Sequence, residues 1–98
     1  MNIEKIQFSS DITVFQLRAA RAALKISLKK LADISGLSEG ALIKLEAGDI
    51  YSRPQHSSFL TVGKVRAVLE EMGIEFYHNN FIRLVPKEEQ FVIRVVSK

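Results

Sequence analysis

Apolar residues recur at helical spacing in four stretches of this chain, and the two middle stretches are short and almost adjacent. The pattern predicts helices over 14–24, 28–35, 39–47 and 62–71. After position 73 the spacing changes to the alternation typical of strands, with GIEFY and FIRLV on either side of a turn at HNN. The sequence therefore predicts a mainly α fold with a small C-terminal β-hairpin or meander.

The residues between the two short helices indicate a tight corner. Ser27 and Ser38 precede the helices as N-caps, and Gly36 follows the first helix, where a left-handed backbone lets the chain turn. Leu31 and Leu42 face inward across that turn. Helices joined in this way cross at roughly 90 to 120°, the geometry of a helix-turn-helix. A plain helical hairpin in a small bundle is the structural alternative.

The segment 16–46 resembles the Cro and cI-type phage-repressor helix-turn-helix family, also called the xenobiotic-response-element (XRE) family. The similarity spans 13–76 and is carried by QLRAARAAL, SLKKLADISGLS, ALIKLEAG and VRAVLEEMGIEF. It implies a lambda-repressor-like bundle of four to five helices within residues 13–73. It also implies a structural ion pair between Arg21, late in the first helix, and Glu46, at the end of the recognition helix 39–47.

The resemblance also implies that Glu39, Gly40 and Lys44 on the recognition helix face base edges. Lys44 is the strongest candidate, because an ammonium can donate to guanine O6 and N7 in the major groove. Glu39 can accept from a cytosine amino group or stabilise the positive end of the helix. Ile43 can pack on a thymine methyl group or mark a protein-binding surface, and the sequence leaves both roles open.

Positive charge is concentrated around this motif. The chain carries a net +3, but residues 13–66 hold nine Lys/Arg against four Asp/Glu, a net +5. A concentrated basic surface releases counterions when it meets phosphates, although a solvated lysine face is the alternative. The candidates for phosphate contact are Lys25, Ser27, Lys29, Lys30, Ser38 and Arg53.

The N-terminal segment 1–12 predicts an arm or a short strand in which Ile6 and Phe8 share one side. Thr13 and Gln16 then have the spacing of a capping box, in which each side chain bonds the backbone N–H of the other residue. This signal predicts the start of the first helix.

The C-terminal segment 74–98 predicts β-strands after a last helix capped by Thr61. Asn79 and Asn80 tolerate positive φ and predict a two-residue turn, and FVIRVV predicts a third strand after a turn over 86–90. An apolar terminal strand leaves an edge that a two-fold dimer can cover. We therefore expect a homodimer built on the last helix and the hairpin.

Composition narrows the function classes. The 98 residues fit a single domain, and no apolar run approaches the length of a membrane span, so a cytoplasmic protein without a membrane partner is expected. Zero cysteines and two separated histidines give no disulfide framework and no metal or cofactor site. No nucleophile arrangement or glycine-rich phosphate loop is apparent, so no enzyme is expected.

These observations predict a sequence-specific DNA-binding transcription regulator, most often a repressor in the family that the chain resembles. Such a regulator binds double-stranded DNA as a homodimer on a pseudo-palindromic operator, with half-sites about 34 Å apart. The alternative is an antitoxin-type autoregulator whose C-terminal β-tail binds a toxin or another protein partner. A third possibility is a module that keeps the fold but binds a protein through Ile43.

Overall fold

The structure, a computed structural model, describes residues 3–55 and 57–89 of the chain. These residues form a mainly helical fold in which an antiparallel β-hairpin follows the helix bundle. In chain order the elements are a 3-10 helix (Ser9–Asp11), α1 (Val14–Leu24), α2 (Leu28–Ser35), α3 (Glu39–Leu45), α4 (Phe59–Glu71), β1 (Ile74–Tyr77) and β2 (Phe81–Leu84). The predicted fold class is confirmed.

Short polar side chains start each of the helices α1 to α4. The Oγ atoms of Ser27, Ser38 and Ser58 each accept a hydrogen bond from a backbone N–H in the first turn of α2, α3 and α4. At α1 the capping box is complete, because Thr13 Oγ1 accepts from Gln16 N at 3.3 Å while Gln16 Oε1 accepts from Thr13 N at 3.0 Å. Local sequence therefore decides where these helices begin.

The corner between α2 and α3 depends on one glycine. Gly36 has a φ of 76°, and its N–H donates to the carbonyl of Ala32 at 2.9 Å. A side chain would strain this left-handed backbone. Leu37 follows and packs against the core, so α3 begins after a short turn.

The hydrophobic core lies between the helices and the inner side of the hairpin. Burial of a leucine or phenylalanine side chain contributes about 1.5 to 3 kcal/mol, so this core is a main source of stability and also fixes where α3 sits. Its members include Leu17, Ala20, Leu31, Ala32, Leu42, Leu45, Val65, Leu69, Ile74 and Phe76.

α3 ends earlier than the sequence predicted. Its last residue is Leu45 rather than Ala47, and Glu46 is the C-cap. The N–H of Ala47 donates to Lys44 O at 3.3 Å, an i to i−3 bond that closes the last turn tightly. The exposed helix at the corner is therefore 39–45.

α4 begins earlier than predicted. Its first residue is Phe59 rather than Val62, and Ser58 rather than Thr61 is the N-cap. Ser58 Oγ accepts from the N–H of Thr61 at 3.2 Å. Serine is the stronger of the two capping residues, and the earlier start adds almost one turn to the helix.

The N-terminal segment pairs with the hairpin over a short distance only. Lys5 bridges Tyr77, and the N–H of Ile6 donates to Phe76 O at 2.9 Å. Ile6 is 2% exposed whereas Phe8 is 66% exposed, so the prediction that these two residues share one side was wrong. The 3-10 helix that begins directly after Phe8 ends the strand-like alternation.

The hairpin turn is longer than predicted. Tyr77 pairs with Phe81, which leaves the three residues 78–80 in the turn rather than two. Asn79 and Asn80 both have a φ of 66°, a conformation that asparagine tolerates better than most residues. The predicted asparagine turn is therefore present with one extra residue.

After β2 the chain differs from the expectation. The predicted turn over 86–90 is helical at 87–89. The predicted third strand at 91–96 lies outside the described residues. Among the residues that are described, no helix has both the length and the apolar character needed to span a membrane.

Candidate nucleic-acid interface

α3 has one buried face and one exposed face. Leu42 and Leu45 are 0% exposed. At 100° per residue, Gly40 lies about 170° around the helix from the midpoint of those two leucines. Ile43 and Lys44 lie on either side of Gly40, and both are exposed. The helix therefore presents a narrow outer face that can enter a groove.

Glu39, the first residue of α3, is also exposed. All four predicted base-edge candidates are thus on the surface of this one short helix. Ile43 is 56% exposed, so its apolar side chain lies on the surface of α3. Its exposure is compatible with contact to a thymine methyl group or to a protein, the two roles that the sequence left open.

Three lysines surround the start of α2. Lys25, Lys29 and Lys30 are exposed, and none of them forms an ion pair within the part of the chain that the structure describes. Lys25 is the C-cap of α1 and has a left-handed backbone, with a φ of 56°. These ammonium groups are therefore available to a polyanion.

Ser27 and Ser38 contribute hydroxyl groups at the two helix starts. Ser27 Oγ accepts from Lys30 N at 3.0 Å, and Ser38 Oγ accepts from Ala41 N at 3.1 Å. Each hydroxyl has one O–H donor that these bonds do not use. Both residues are exposed, so each O–H can donate to a phosphate oxygen.

Lys44 and Arg53 line different grooves. Lys44 borders a shallow groove of about 390 Å³ between α3 and the start of α4, with Ser57, Ser58 and Thr61 on its far side. Arg53 borders a groove of about 660 Å³ between the loop after α3 and the 3-10 helix. The structure therefore brings Lys44 together with the other α3 candidates and gives Arg53 separate surroundings.

Arg21 and Glu46 form a two-point ion pair at the end of α3. Arg21 Nε donates to Glu46 Oε2 at 2.9 Å and Nη2 donates to Oε1 at 3.0 Å, while Nη1 donates to Ile26 O at 3.1 Å. The hydrogen bond to Glu46 raises the pKa of Arg21 above its ordinary value, although burial opposes this. The guanidinium thus joins α1, the short link between α1 and α2, and the C-cap of α3.

A buried glutamine joins α1 to the hairpin, a role that the sequence reasoning missed. Gln16 is 0% exposed, and its Nε2 donates to Tyr77 O at 2.6 Å and to Phe81 O at 2.9 Å. Thr13 Oγ1 donates to Asn80 Oδ1 at 2.7 Å beside it. The sequence signal for this role is a polar residue within the apolar stripe of α1, but the capping box also accounts for a glutamine at that position.

The contacts of Arg66 were also not predicted from the sequence. Its guanidinium donates to the carbonyls of Ile6 and Gln7 and pairs with Glu70 at 3.2 Å. It ties the N-terminal segment to α4. No sequence signal identifies carbonyl partners about sixty positions away.

No protein-family model matches this chain, and neither the curated proteins nor the solved structures searched give a match. Among the described residues, no cluster of three or more His, Cys, Asp or Glu side chains could hold a metal ion. The chemistry of the exposed α3 face and the lysines beside it therefore carries the functional argument.

Proposed function

We propose that this protein is a sequence-specific transcription regulator that binds double-stranded DNA by inserting α3 into the major groove. The observation that carries the proposal is the exposed face of α3 with its base-edge candidates, together with three exposed lysines around the start of α2 that have no ion pair in the described part of the chain. The major groove, about 12 Å wide, admits an α-helix.

The contacts divide into two kinds. Lys44 donates to base acceptors in the groove, and Ile43 supplies apolar contact. Lys25, Lys29 and Lys30, with the hydroxyls at the starts of α2 and α3, contact phosphates on the flanking backbone. The phosphate contacts set the position of α3 and make the affinity depend steeply on salt.

The rigid attachment of α3 supports this function. A reading helix of only 39–45 must be held by its surroundings, because so short a helix is marginal in isolation. Leu42 and Leu45 anchor its inner face in the core, and the Arg21–Glu46 pair fixes its end. Base contacts therefore need little reorganisation of the protein.

The proposal includes a homodimer that acts as a repressor in the cytoplasm, where it occupies an operator. Its support is β2, which pairs only with β1 within the described residues and carries Phe81 and Leu84 at 44% and 45% exposure. An edge strand with exposed apolar side chains is a site for pairing with a second chain. Light scattering at micromolar concentration is expected to give the dimer mass, and a monomer mass would refute this part.

The antitoxin alternative depends on the segment 91–96, which lies outside the described residues. Nothing in the described part favours it over operator binding. We therefore keep the regulator as the proposed function.

The experiment is fluorescence anisotropy with two labelled duplexes, one from the gene's own upstream region and one with the same bases scrambled. Titrations of the parent protein are repeated at several salt concentrations, beside Lys44→Ala and the charge-matched control Lys87→Ala, whose lysine is exposed after the hairpin. Tight binding to the upstream duplex, reduced by Lys44→Ala and unchanged by Lys87→Ala, is expected. Equal weak binding of the parent to both duplexes would contradict the proposal.

A further inference from the structure

The glycines of this chain fall into two groups. Gly36, Gly48 and Gly73 have φ values of 76°, 91° and 105°, so the backbone itself calls for glycine at those turns. Gly40 and Gly63 lie inside α3 and α4, and neither has a positive φ. For these two residues the reason for glycine must be sought outside the backbone conformation.

The fold leaves room for a side chain at Gly40. Apart from its chain neighbours and the backbone of α3 itself, a Cβ atom added there would meet only Ser38 Oγ among the described residues, at 3.9 Å, which is an ordinary van der Waals contact. Glycine in a helix costs conformational entropy that alanine does not cost. Glycine at position 40 therefore weakens α3, and the described residues show no contact that compensates for this.

The position of Gly40 indicates what requires the empty space. It lies at the centre of the exposed face of α3, with Ile43 about 60° to one side around the helix and Lys44 about 40° to the other. A ligand that reaches the backbone at Gly40 lies between the side chains of Ile43 and Lys44. A side chain at that point would hold the ligand away from the two flanking side chains.

We infer that Gly40 is a specificity-determining position at which a thymine methyl group packs against the bare backbone of α3. This inference rests on the proposed DNA-binding function. The C5 methyl of thymine is the apolar group that a base pair presents in the major groove, and a position without a side chain lets it come close to the helix backbone. Ile43 adds apolar contact from one side.

The same geometry explains the roles of the flanking residues. The close approach at Gly40 brings the Lys44 ammonium within reach of acceptors on a neighbouring base pair. Sequence discrimination by α3 then depends on shape and apolar contact at one base pair and on hydrogen bonding at the next. It does not need the long polar side chains that a more distant helix would use.

The test compares Gly40→Ala with the control Gly63→Ala. In the control position a Cβ atom would also lie 3.9 Å from a serine oxygen, Ser9 Oγ, and Gly63 is on α4, away from the α3 surface. Thermal melting and anisotropy with the upstream and scrambled duplexes are measured for both variants. Each variant is expected to melt at or above the parent temperature, since alanine favours the helix.

Gly40→Ala is expected to bind the upstream duplex about tenfold more weakly than the parent, the effect of one disrupted base-pair contact. Gly63→Ala is expected to bind like the parent. Parent-like binding by Gly40→Ala would overturn the inference while the proposed function stands. A lower melting temperature for Gly40→Ala would also overturn it, because the fold itself would then require the glycine.

A second measurement tests the thymine assignment. Each half-site thymine of the upstream duplex is replaced in turn by uracil, which lacks the C5 methyl group. At one position in each half-site the parent is expected to lose about fourfold in affinity, the effect of one buried methyl group. If no uracil duplex binds more weakly, the assignment is wrong. If the parent binds upstream and scrambled duplexes equally, the proposed function and this inference fail together.

Discussion

Arg21 donates two parallel hydrogen bonds to Glu46 and so joins the last turn of α1 to the residue at which α3 ends. The Glu46 side chain is only 8% exposed and that of Arg21 is 26% exposed. A two-point pair with this degree of burial restricts rotation as well as distance. The end of α3 is therefore held against the body of the protein.

We predict that Arg21→Ala destabilises the fold and lowers DNA affinity as a consequence. Removal of one partner leaves the Glu46 carboxylate buried and unpaired, a change that costs about 3 kcal/mol. Urea unfolding measures the loss. Arg18→Ala is the matched control, because Arg18 is an exposed arginine on the same helix, and its effect is expected within about 0.5 kcal/mol of zero. An Arg21→Ala protein that melts like the parent but fails to bind DNA would contradict a structural role.

We predict that Gln16→Met loosens the hairpin from α1. Methionine keeps the length of the side chain but leaves two backbone carbonyls without the Nε2 donor and the Thr13 N–H without its Oε1 acceptor, which together cost about 2 kcal/mol. Hydrogen exchange of the β1 and β2 amides, measured beside global unfolding, reports the effect. Gln55→Met, at an exposed loop glutamine, serves as the control. Unchanged stability of Gln16→Met would show that water replaces the lost donor.

We predict that Lys25→Gly stabilises the protein and weakens DNA binding at the same time. Glycine relieves the left-handed backbone at φ 56°, a gain of about 0.5 to 1 kcal/mol. Loss of the ammonium removes one phosphate contact. The slope of log K against log salt concentration is therefore expected to become shallower by about 1. Lys25→Ala removes the same charge and leaves the backbone strain, so it is expected to share the change in salt slope without the gain in stability. A salt slope that is unchanged in both variants would exclude a phosphate contact at Lys25.

We predict that Glu75 contributes stability that disappears in acid. Burial raises the pKa of Glu75, but hydrogen bonds from Arg83, Tyr77 and Lys5 outweigh it and hold the pKa below the ordinary value of 4.5. Because the folded-state pKa is depressed, the contribution is present above pH 4.5 and is lost as the pH falls through the folded-state pKa.

Urea titrations between pH 7 and pH 3 test this prediction. Glu75→Gln is expected to be less stable than the parent at pH 7, and the difference is expected to shrink as the pH falls below 4.5. Glu88→Gln, at an exposed glutamate, is the control and is expected to follow the parent. A constant difference between Glu75→Gln and the parent across the whole range would contradict the linkage.

Local signals in the sequence were sufficient for most of the helical fold. The capping box predicted the start of α1. Gly36, together with the N-caps Ser27 and Ser38, predicted the corner between α2 and α3. The predicted start of α4 was wrong because Ser58 and Thr61 are both acceptable N-caps, and the pattern of apolar residues does not distinguish between them. Phe59 and Leu60 are 74% and 80% exposed, so they add nothing to the buried stripe from which the helix was inferred.

The candidate site was predictable to the extent that it depends on one helix. The faces of α3 follow from helical geometry, so the exposed side chains could be named in advance. Contacts between distant segments could not be predicted, since the partners of Gln16 and Arg66 are backbone carbonyls 59 to 65 positions away. Side-chain type alone does not indicate which carbonyls the fold brings close.

The central claim is that α3 enters the major groove, and chemical protection with dimethyl sulfate tests it most directly. This reagent methylates guanine N7, which lies in the major groove, and adenine N3, which lies in the minor groove. With the upstream duplex saturated by the parent protein, we expect guanine N7 protection in two patches about 10 base pairs apart and weaker protection in Lys44→Ala. Saturated binding without protection of any N7, or with protection of adenine N3 alone, would contradict the claim.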